Sequence, residues 1–219
     1  VGRAKIMQRI SFPLPTVERL TYYLRTLEAL LLAGRENVSS EELARLNGLT
    51  AAQVRKDLAY FGSFGQKGKG YPVSVLAENL KELLGLSREW FLCLVGLGNL
   101  GRALVRFKGF AERGLRFVAI FDKDPKKIGT EFYGINILDI ADLPEIAQKQ
   151  KIEIAVLTVP ESEAKSVYEV IKCSVIKGVL NFTTASLTST EKIFVKNVSI
   201  VQELESLTFY LSRNIVGGR

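Results

Sequence analysis

An α/β fold in two parts is predicted for this chain by three observations. Helical apolar periodicity dominates the first 85 residues, a β-rich apolar run then enters a glycine-punctuated turn near residue 95, and similar runs alternate with helical segments afterwards. At 219 residues, 47% hydrophobic and 24% charged, the chain has room for two modest cores. The elements divide it into residues 1–85, 86–199 and a terminal helical segment, 200–219.

In the first part Val17, Leu20, Leu24, Leu27 and Leu31 form a helical stripe that stops at Gly34. Ser39 with Glu42 makes a capping box for a second helix, which carries Leu43 and Leu46 and ends at Gly48. Thr50 with Gln53 opens a third, so the glycine link between them is that of a helix-turn-helix. On the third helix Ala51, Val54, Leu58 and Phe61 share one face. Gln53, Arg55, Lys56 and Tyr60 point elsewhere, a set suited to base edges and phosphates, with Thr50 at the helix start.

The run "FGSFGQKGKGY" then sets Lys67 and Lys69 among glycines between Phe64 and Tyr71, which predicts a cationic hairpin tip, or wing. Ser74 is expected to cap a last helix, Val75 to Leu84. Double-stranded DNA is the expected partner of this winged helix-turn-helix. Charge agrees: 12 basic against 8 acidic residues in the first 85, and 18 against 15 in the other 134, put the denser positive charge in front. A small helical bundle docking on protein is the alternative.

In the second part "EWFLCLV" reads as the buried first strand of a parallel sheet and leads into Gly96, Leu97, Gly98, Asn99, Leu100 and Gly101. The first glycine permits the tight turn, the second a close approach of backbone to a pyrophosphate, and the third close packing of helix on strand. A second strand, "LRFVAIF", ends at Asp122, 21 residues beyond Gly101. An acid there accepts from a ribose 2′-hydroxyl and repels a 2′-phosphate, favouring NAD over NADP, with Lys123 beside it as a counter-charge. Strand, glycines, helix, strand and acid together predict a Rossmann dinucleotide-binding domain.

Residues 134–138, "IEIAVLTVP" and "GVLNF" continue the strands, with helices running to Gln150 and over 162–174. Ligands lie beyond strand ends in such folds, so Thr158, Val159, Pro160, Asn181 and Phe182 are the candidates near a nicotinamide. That lining offers no acid–base couple. An apolar pocket without a carboxylate favours uncharged reduced nicotinamide over its cation, so the cofactor is expected to be NADH or NAD+, with NADH preferred and no catalysis. Tyr168 with Lys172 has the spacing of a dehydrogenase pair but falls in the wrong element, and packing is its expected role.

The chain contains no histidine and only Cys93 and Cys173, so neither a metal site nor a disulfide framework is expected. Without an apolar run of the ~18 residues a membrane span needs, the expected setting is cytoplasmic. The tail aligns Ile200, Leu204, Leu207, Leu211 and Ile215, an apolar face that needs either its own domain or another subunit as a partner.

The stretches "VSSEELA", "TAAQVRKDLAYFGSFGQKGKGY", "VGLGNLGRAL", "KGF", "FDKDPKKIG", "IEIAVLTVP", "KGVLNF" and "KNV" together resemble the bacterial Rex family of redox-sensing repressors over nearly the full length. The resemblance implies a homodimer with exchanged C-terminal helices, bound to a palindromic operator when NADH is low and released as NADH binds and the subunits rotate. It implies DNA reading by the helix opened by Thr50, with Arg55 and Lys56, a wing at Lys67 and Lys69, and a cofactor on Gly96 to Gly101, Asp122 and the Thr158 region. Phe107 and Ser199 depart from the family's tyrosine and aspartate, which would meet an arginine at Arg25 across the subunits, and "NFTT" replaces Asn-Phe-Ala-Pro. A dehydrogenase with a fused module, or a CoA- or nucleotide-binding interaction protein, are the competing readings.

Overall fold

The computed structural model describes residues 13–62, 64 and 69–213, and the chain divides between Ser87 and Arg88 into two compact units. In the first unit α1 (Leu14–Leu32), α2 (Ser40–Leu46), α3 (Ala51–Ala59) and α4 (Val73–Leu83) surround one core, with two short strands, β1 (Asn37–Val38) and β2 (Tyr71–Pro72). Leu20, Leu24 and Leu27 of α1, Leu43 of α2, Val54 and Leu58 of α3, and Leu76 and Leu80 of α4 are buried together. Both expected caps form: Ser39 Oγ accepts from the Glu42 N–H at 3.0 Å and Thr50 Oγ1 from the Gln53 N–H at 3.2 Å. Between them Gly48 takes φ +65°, a left-handed turn that L side chains disfavour.

Two expectations are corrected in this unit. Tyr71 does not close a hairpin with Phe64, which lies in no strand; it pairs antiparallel with Val38. Gly70 makes this possible, because a Cβ there would stand 2.5 Å from the Val38 carbonyl oxygen. The last helix begins at Val73, with Pro72 as its N-cap, so Ser74 does not cap it; the Val73 N–H donates instead to the Glu36 carbonyl at 2.8 Å.

In the second unit the described residues form a seven-stranded sheet ordered β5-β6-β4-β3-β7-β8-β9, parallel throughout except for the β5–β6 pair. The strands are β3 (Trp90–Val95), β4 (Leu115–Asp122), β5 (Glu131–Phe132), β6 (Ile135–Asp139), β7 (Ile154–Leu157), β8 (Gly178–Asn181) and β9 (Phe194–Asn197). Alternation along β3 sends Cys93 and Val95 into one core and Leu92 and Leu94 into the other, as a strand covered on both faces requires. Burial pushes the Cys93 thiol up to about 12, so it stays protonated and packs as an apolar group.

Helix α5 (Asn99–Arg106) covers one face with the short α6 (Gly109–Glu112), and α7 (Leu143–Lys149) and α8 (Glu161–Lys172) cover the other. Cys173 lies just past α8 rather than within a helix. Strand order reverses between β3 and β7, and this switch point opens a crevice beyond the strand ends. The terminal helix α9 (Ile200–Ser212) has no buried residue.

Candidate functional site

A cleft of about 940 Å³ lies at the carboxyl ends of β3, β4 and β7. Gly96 leaves β3 at φ +95°, and a Cβ on it would meet Val159 Cγ1 at 2.7 Å. Thr158 Oγ1 donates to the Gly96 carbonyl at 2.6 Å, which ties the turn to the end of β7. At Gly101 a Cβ would fall 2.4 Å from the same carbonyl and 2.9 Å from both Leu94 Cδ2 and Thr158 Oγ1, so the third glycine permits α5 to lie on β3. A Cβ at Gly98 would meet nothing within 4 Å. That space borders the first-turn amides of α5, Asn99 to Gly101, which have no intrahelical acceptors. Bare backbone beside a helix N-terminus is a fitting seat for a pyrophosphate, so the residues present suit a dinucleotide.

Asp122 ends β4 with 8% exposure. Its Oδ2 accepts from the Leu97 N–H at 2.9 Å and from Lys127 Nζ at 2.8 Å, and its Oδ1 from the Asp124 N–H at 3.0 Å. Burial opposes ionisation, yet Lys127 and the two amides outweigh it and hold the carboxyl below its ordinary range. A carboxylate has about four acceptor positions, so one remains on Oδ1 for a ribose hydroxyl.

Gly96, Leu97, Gly98, Asp122, Lys123, Thr158, Val159 and Pro160 line the cleft, and Asn99, Leu100 and Gly101 form the helix start beside it. Asn181 and Phe182 are not brought to it. Asn181 is fully buried; its Oδ1 accepts from the Thr183 N–H and hydroxyl, and its Nδ2 donates to the Ala185 carbonyl and to Asn197 Oδ1. Phe182 packs in the core that β3 shares with α5. The cleft also has carboxylates, Asp122, Asp124 and Glu163, all on the β4 and α8 side. Lys127, Glu163 and Ser166 of its lining were not anticipated; only Lys127 had a local signal, the charged run after Asp122. Tyr168 is buried with its hydroxyl on the Thr188 carbonyl at 2.8 Å, and Lys172 pairs with Glu169.

In the first unit Arg55, Lys56, Tyr60 and Lys69 are exposed, and Lys67 lies outside the described residues. Two members of the expected reading face already have partners. Arg55 Nη1 donates to Ser40 Oγ at 2.8 Å and to Glu41 Oε1 at 3.0 Å, and Gln53 Nε2 donates to Asp57 Oδ1 at 2.8 Å. Asp57 has no counterpart in the sequence reading. It is fully buried on α3 and also accepts from Arg19 at 2.6 and 2.7 Å and from the Tyr23 hydroxyl at 2.8 Å, both on α1. Burial again opposes its charge, but these donors keep the carboxyl below its ordinary range, while burial and the carboxylate push the Tyr23 hydroxyl up. Helix α3 is thereby anchored to α1 by a charged hub.

The Phe107 ring packs edge-on against Phe110 at 5.3 Å, and Ser199 caps α9 by accepting from the Gln202 N–H at 3.2 Å. An aspartate could also cap there, so the departure at Ser199 keeps the helix start. Among the described residues no helix is long and apolar enough to cross a membrane, and no group of three ligating side chains suited to a metal converges.

Residues 11–59 match the family described as putative DNA-binding protein N-terminus, and residues 87–185 that described as CoA binding domain. The redox-sensing transcriptional repressor Rex of Syntrophobacter fumaroxidans is 41% identical over 94% of this chain and 99% of its own, and Rex 1 of Thermotoga maritima 42% over 92% and 96%. The crystal structure of RSP with β-NAD+ and operator DNA superposes with a TM-score of 0.89 at 31% identity, covering 93% of this chain and 94% of that one. The structure of RSP with β-NADH gives 0.84 at 29%, covering 93% and 95%. A single relationship accounts for both units, their order and the full-length similarity: the chain belongs to the Rex family of redox-sensing transcriptional repressors.

Proposed function

We propose that this chain is an NADH-responsive transcriptional repressor acting as a homodimer, with α3 reading duplex DNA and the cleft holding the dinucleotide. The observation that carries the reading is the union, in one chain, of an exposed basic recognition helix with a glycine-turned crevice whose charged side chains are paired with one another. Asp122 binds Lys127 and Glu163 binds Lys123, leaving neutral Val159 and Pro160 at the end of β7. The bound cofactor supplies a ring that is cationic when oxidised and uncharged when reduced. Thr158 directs its hydroxyl to Gly96, so this end presents apolar walls against which an unpaired cation loses hydration.

A regulator is favoured over a dehydrogenase because the curated relatives are named repressors and the Tyr168 hydroxyl is committed to Thr188. Dimerisation through α9 is supported by the exposure of Ile200, Leu204, Leu207, Phe209 and Leu211 along one short helix. The described unit-one residues would touch DNA through Thr50, Arg55, Lys56, Tyr60 and Lys69, with Gln53 contributing its amide oxygen.

The test is fluorescence anisotropy on a duplex that the protein selects from a randomised pool, with NADH or NAD+ titrated into the complex. NADH is expected to weaken binding about 5- to 150-fold, the usual size of an allosteric coupling. Equal DNA affinity with saturating NADH and with no nucleotide would overturn the reading. The match to a CoA binding domain favours a second ligand, and CoA in place of NADH in the same titration separates the two.

A further inference from the structure

One ion pair in the cleft has no part in holding a pyrophosphate or a ribose. Lys123 Nζ lies 2.6 Å from Glu163 Oε1, joining the residue after β4 to the first turn of α8. The Lys123 side chain is 68% exposed and that of Glu163 24%, so the carboxylate is the better-fixed partner. From this geometry we infer that Glu163 sets the dinucleotide preference of the cleft, by holding and neutralising the one lysine placed to receive a ribose 2′-phosphate. The inference rests on the cofactor reading above.

Position decides which lysine matters. In this fold the residue ending the second strand meets the ribose 2′-hydroxyl, and a cation close to it is what accommodates a 2′-phosphate. Lys123 follows Asp122 directly. Lys127, the other lysine among the residues lining the cleft, is committed to Asp122 at 2.8 Å and is 3.9 Å from Asp124. Asp122 has one acceptor position left, which admits one hydroxyl and offers a phosphate nothing.

Charge gives the same result. Asp122, Asp124 and Glu163 against Lys123 and Lys127 leave this end of the cleft with one net negative charge. A phosphate monoester brings about 1.5 to 2 more near neutral pH. Glutamine at 163 would keep the shape, remove that excess and release Lys123 on its flexible stem. Glu163 is therefore an element of exclusion, acting through Lys123 rather than by touching a bound nucleotide.

Isothermal titration of NADH and NADPH into the full-length protein, into Glu163→Gln and into Glu163→Gln combined with Lys123→Ala tests this. The ratio of NADPH to NADH affinity is expected to rise about tenfold in Glu163→Gln, the worth of one charge-assisted hydrogen bond, and to return to the wild-type value in the double variant. An unchanged ratio in Glu163→Gln overturns the inference, as does a gain that survives loss of Lys123. Failure of NADH to bind the unaltered protein is a different result and overturns the cofactor reading instead. Thermal melts of both variants, expected to match the wild type, exclude a folding defect as the cause.

Discussion

Replacing Gly98 and Gly101 separately by alanine separates what each glycine does. Gly98 sits at φ −83° and ψ −166°, extended backbone that alanine adopts without strain, and its Cβ would meet no atom within 4 Å. Gly98→Ala should leave the fold intact or stabilise it by about 0.4–1 kcal/mol, through the reduced freedom of the unfolded chain. The same methyl group would occupy the space beside the α5 amides where a pyrophosphate must approach. Lengthening one or two charge-assisted bonds there, each worth about 1.5–3 kcal/mol, weakens NADH roughly 10- to 1,000-fold.

Gly101→Ala should behave differently. Its Cβ would be 2.4 Å from the Gly96 carbonyl oxygen, which is backbone and cannot rotate away, so α5 must lift from β3 at a cost of about 1–3 kcal/mol. Melting without nucleotide and calorimetric titration with NADH read the two effects apart: affinity lost with stability kept at 98, both lost at 101. Wild-type NADH affinity in Gly98→Ala would refute the placement of the cofactor.

Three further outcomes are expected. Asp57→Asn breaks a buried ion pair whose Arg19 partner is 22% exposed, costing on the order of 3 kcal/mol and lowering the melting temperature by about 10–20 °C at pH 7. Because Asp57 is depressed in the fold, its stabilisation is present above the unfolded value near 4 and fades as pH falls below it, so the gap between wild type and variant should close in melts below about pH 4. Leu204→Asp with Leu207→Asp, at residues 56% and 51% exposed, should leave the far-UV circular dichroism of the folded chain unchanged while sedimentation equilibrium shows one chain where the wild type shows two and the melting temperature ceases to depend on protein concentration; a variant that stays dimeric rejects α9 as the contact. Glu41→Ala removes the carboxylate partner of Arg55, leaving it only the Ser40 hydroxyl, and takes away a negative charge beside it. Binding to a scrambled duplex should strengthen more than binding to the selected one, with the salt slope steeper by about 1; an unaltered ratio of the two affinities would show that Glu41 does not restrain Arg55.

The legible parts of this chain were those set by local rules. Glycine spacing after a β-rich run placed the turn from β3 to α5, and serine and threonine caps placed α2 and α3. Partners that lie far apart in sequence leave no local signal. Asp57 looks like one more charge on a solvated helix face, and it is buried because Arg19 and Tyr23, 38 and 34 positions earlier, supply its donors. The turn residues beside Tyr71 point to a local hairpin, but a non-local strand at Val38 competes successfully for its backbone. β9 is only four residues long and half polar, and it is held by pairing with β8 and by Asn181 and Asn197 bonding through their side chains. The cleft shows the same division: its glycine turn and Asp122 carry a local signal, whereas the ion pair of Glu163 with Lys123 joins residues 40 positions apart.

Affinity and redox selectivity are assigned to different ends of the cleft, and this follows from chemistry shared by the two cofactor forms. Their adenosine and pyrophosphate halves are identical, so on the proposed placement of the cofactor the glycine turn, the α5 amides and Asp122 would strengthen both equally and shift no equilibrium between them. A ligand changes a population only by its differential affinity for the competing states. On that placement the difference would be read where the ring charge differs, beyond Thr158, Val159 and Pro160 at the end of β7. Pairing Asp122 with Lys127 and Glu163 with Lys123 compensates four of the five charges of the other end, so that only the single excess charge of Asp124 acts toward this neutral end. Substitutions at the glycine turn should then change how much nucleotide is needed, and substitutions at the end of β7 should change which redox form is preferred.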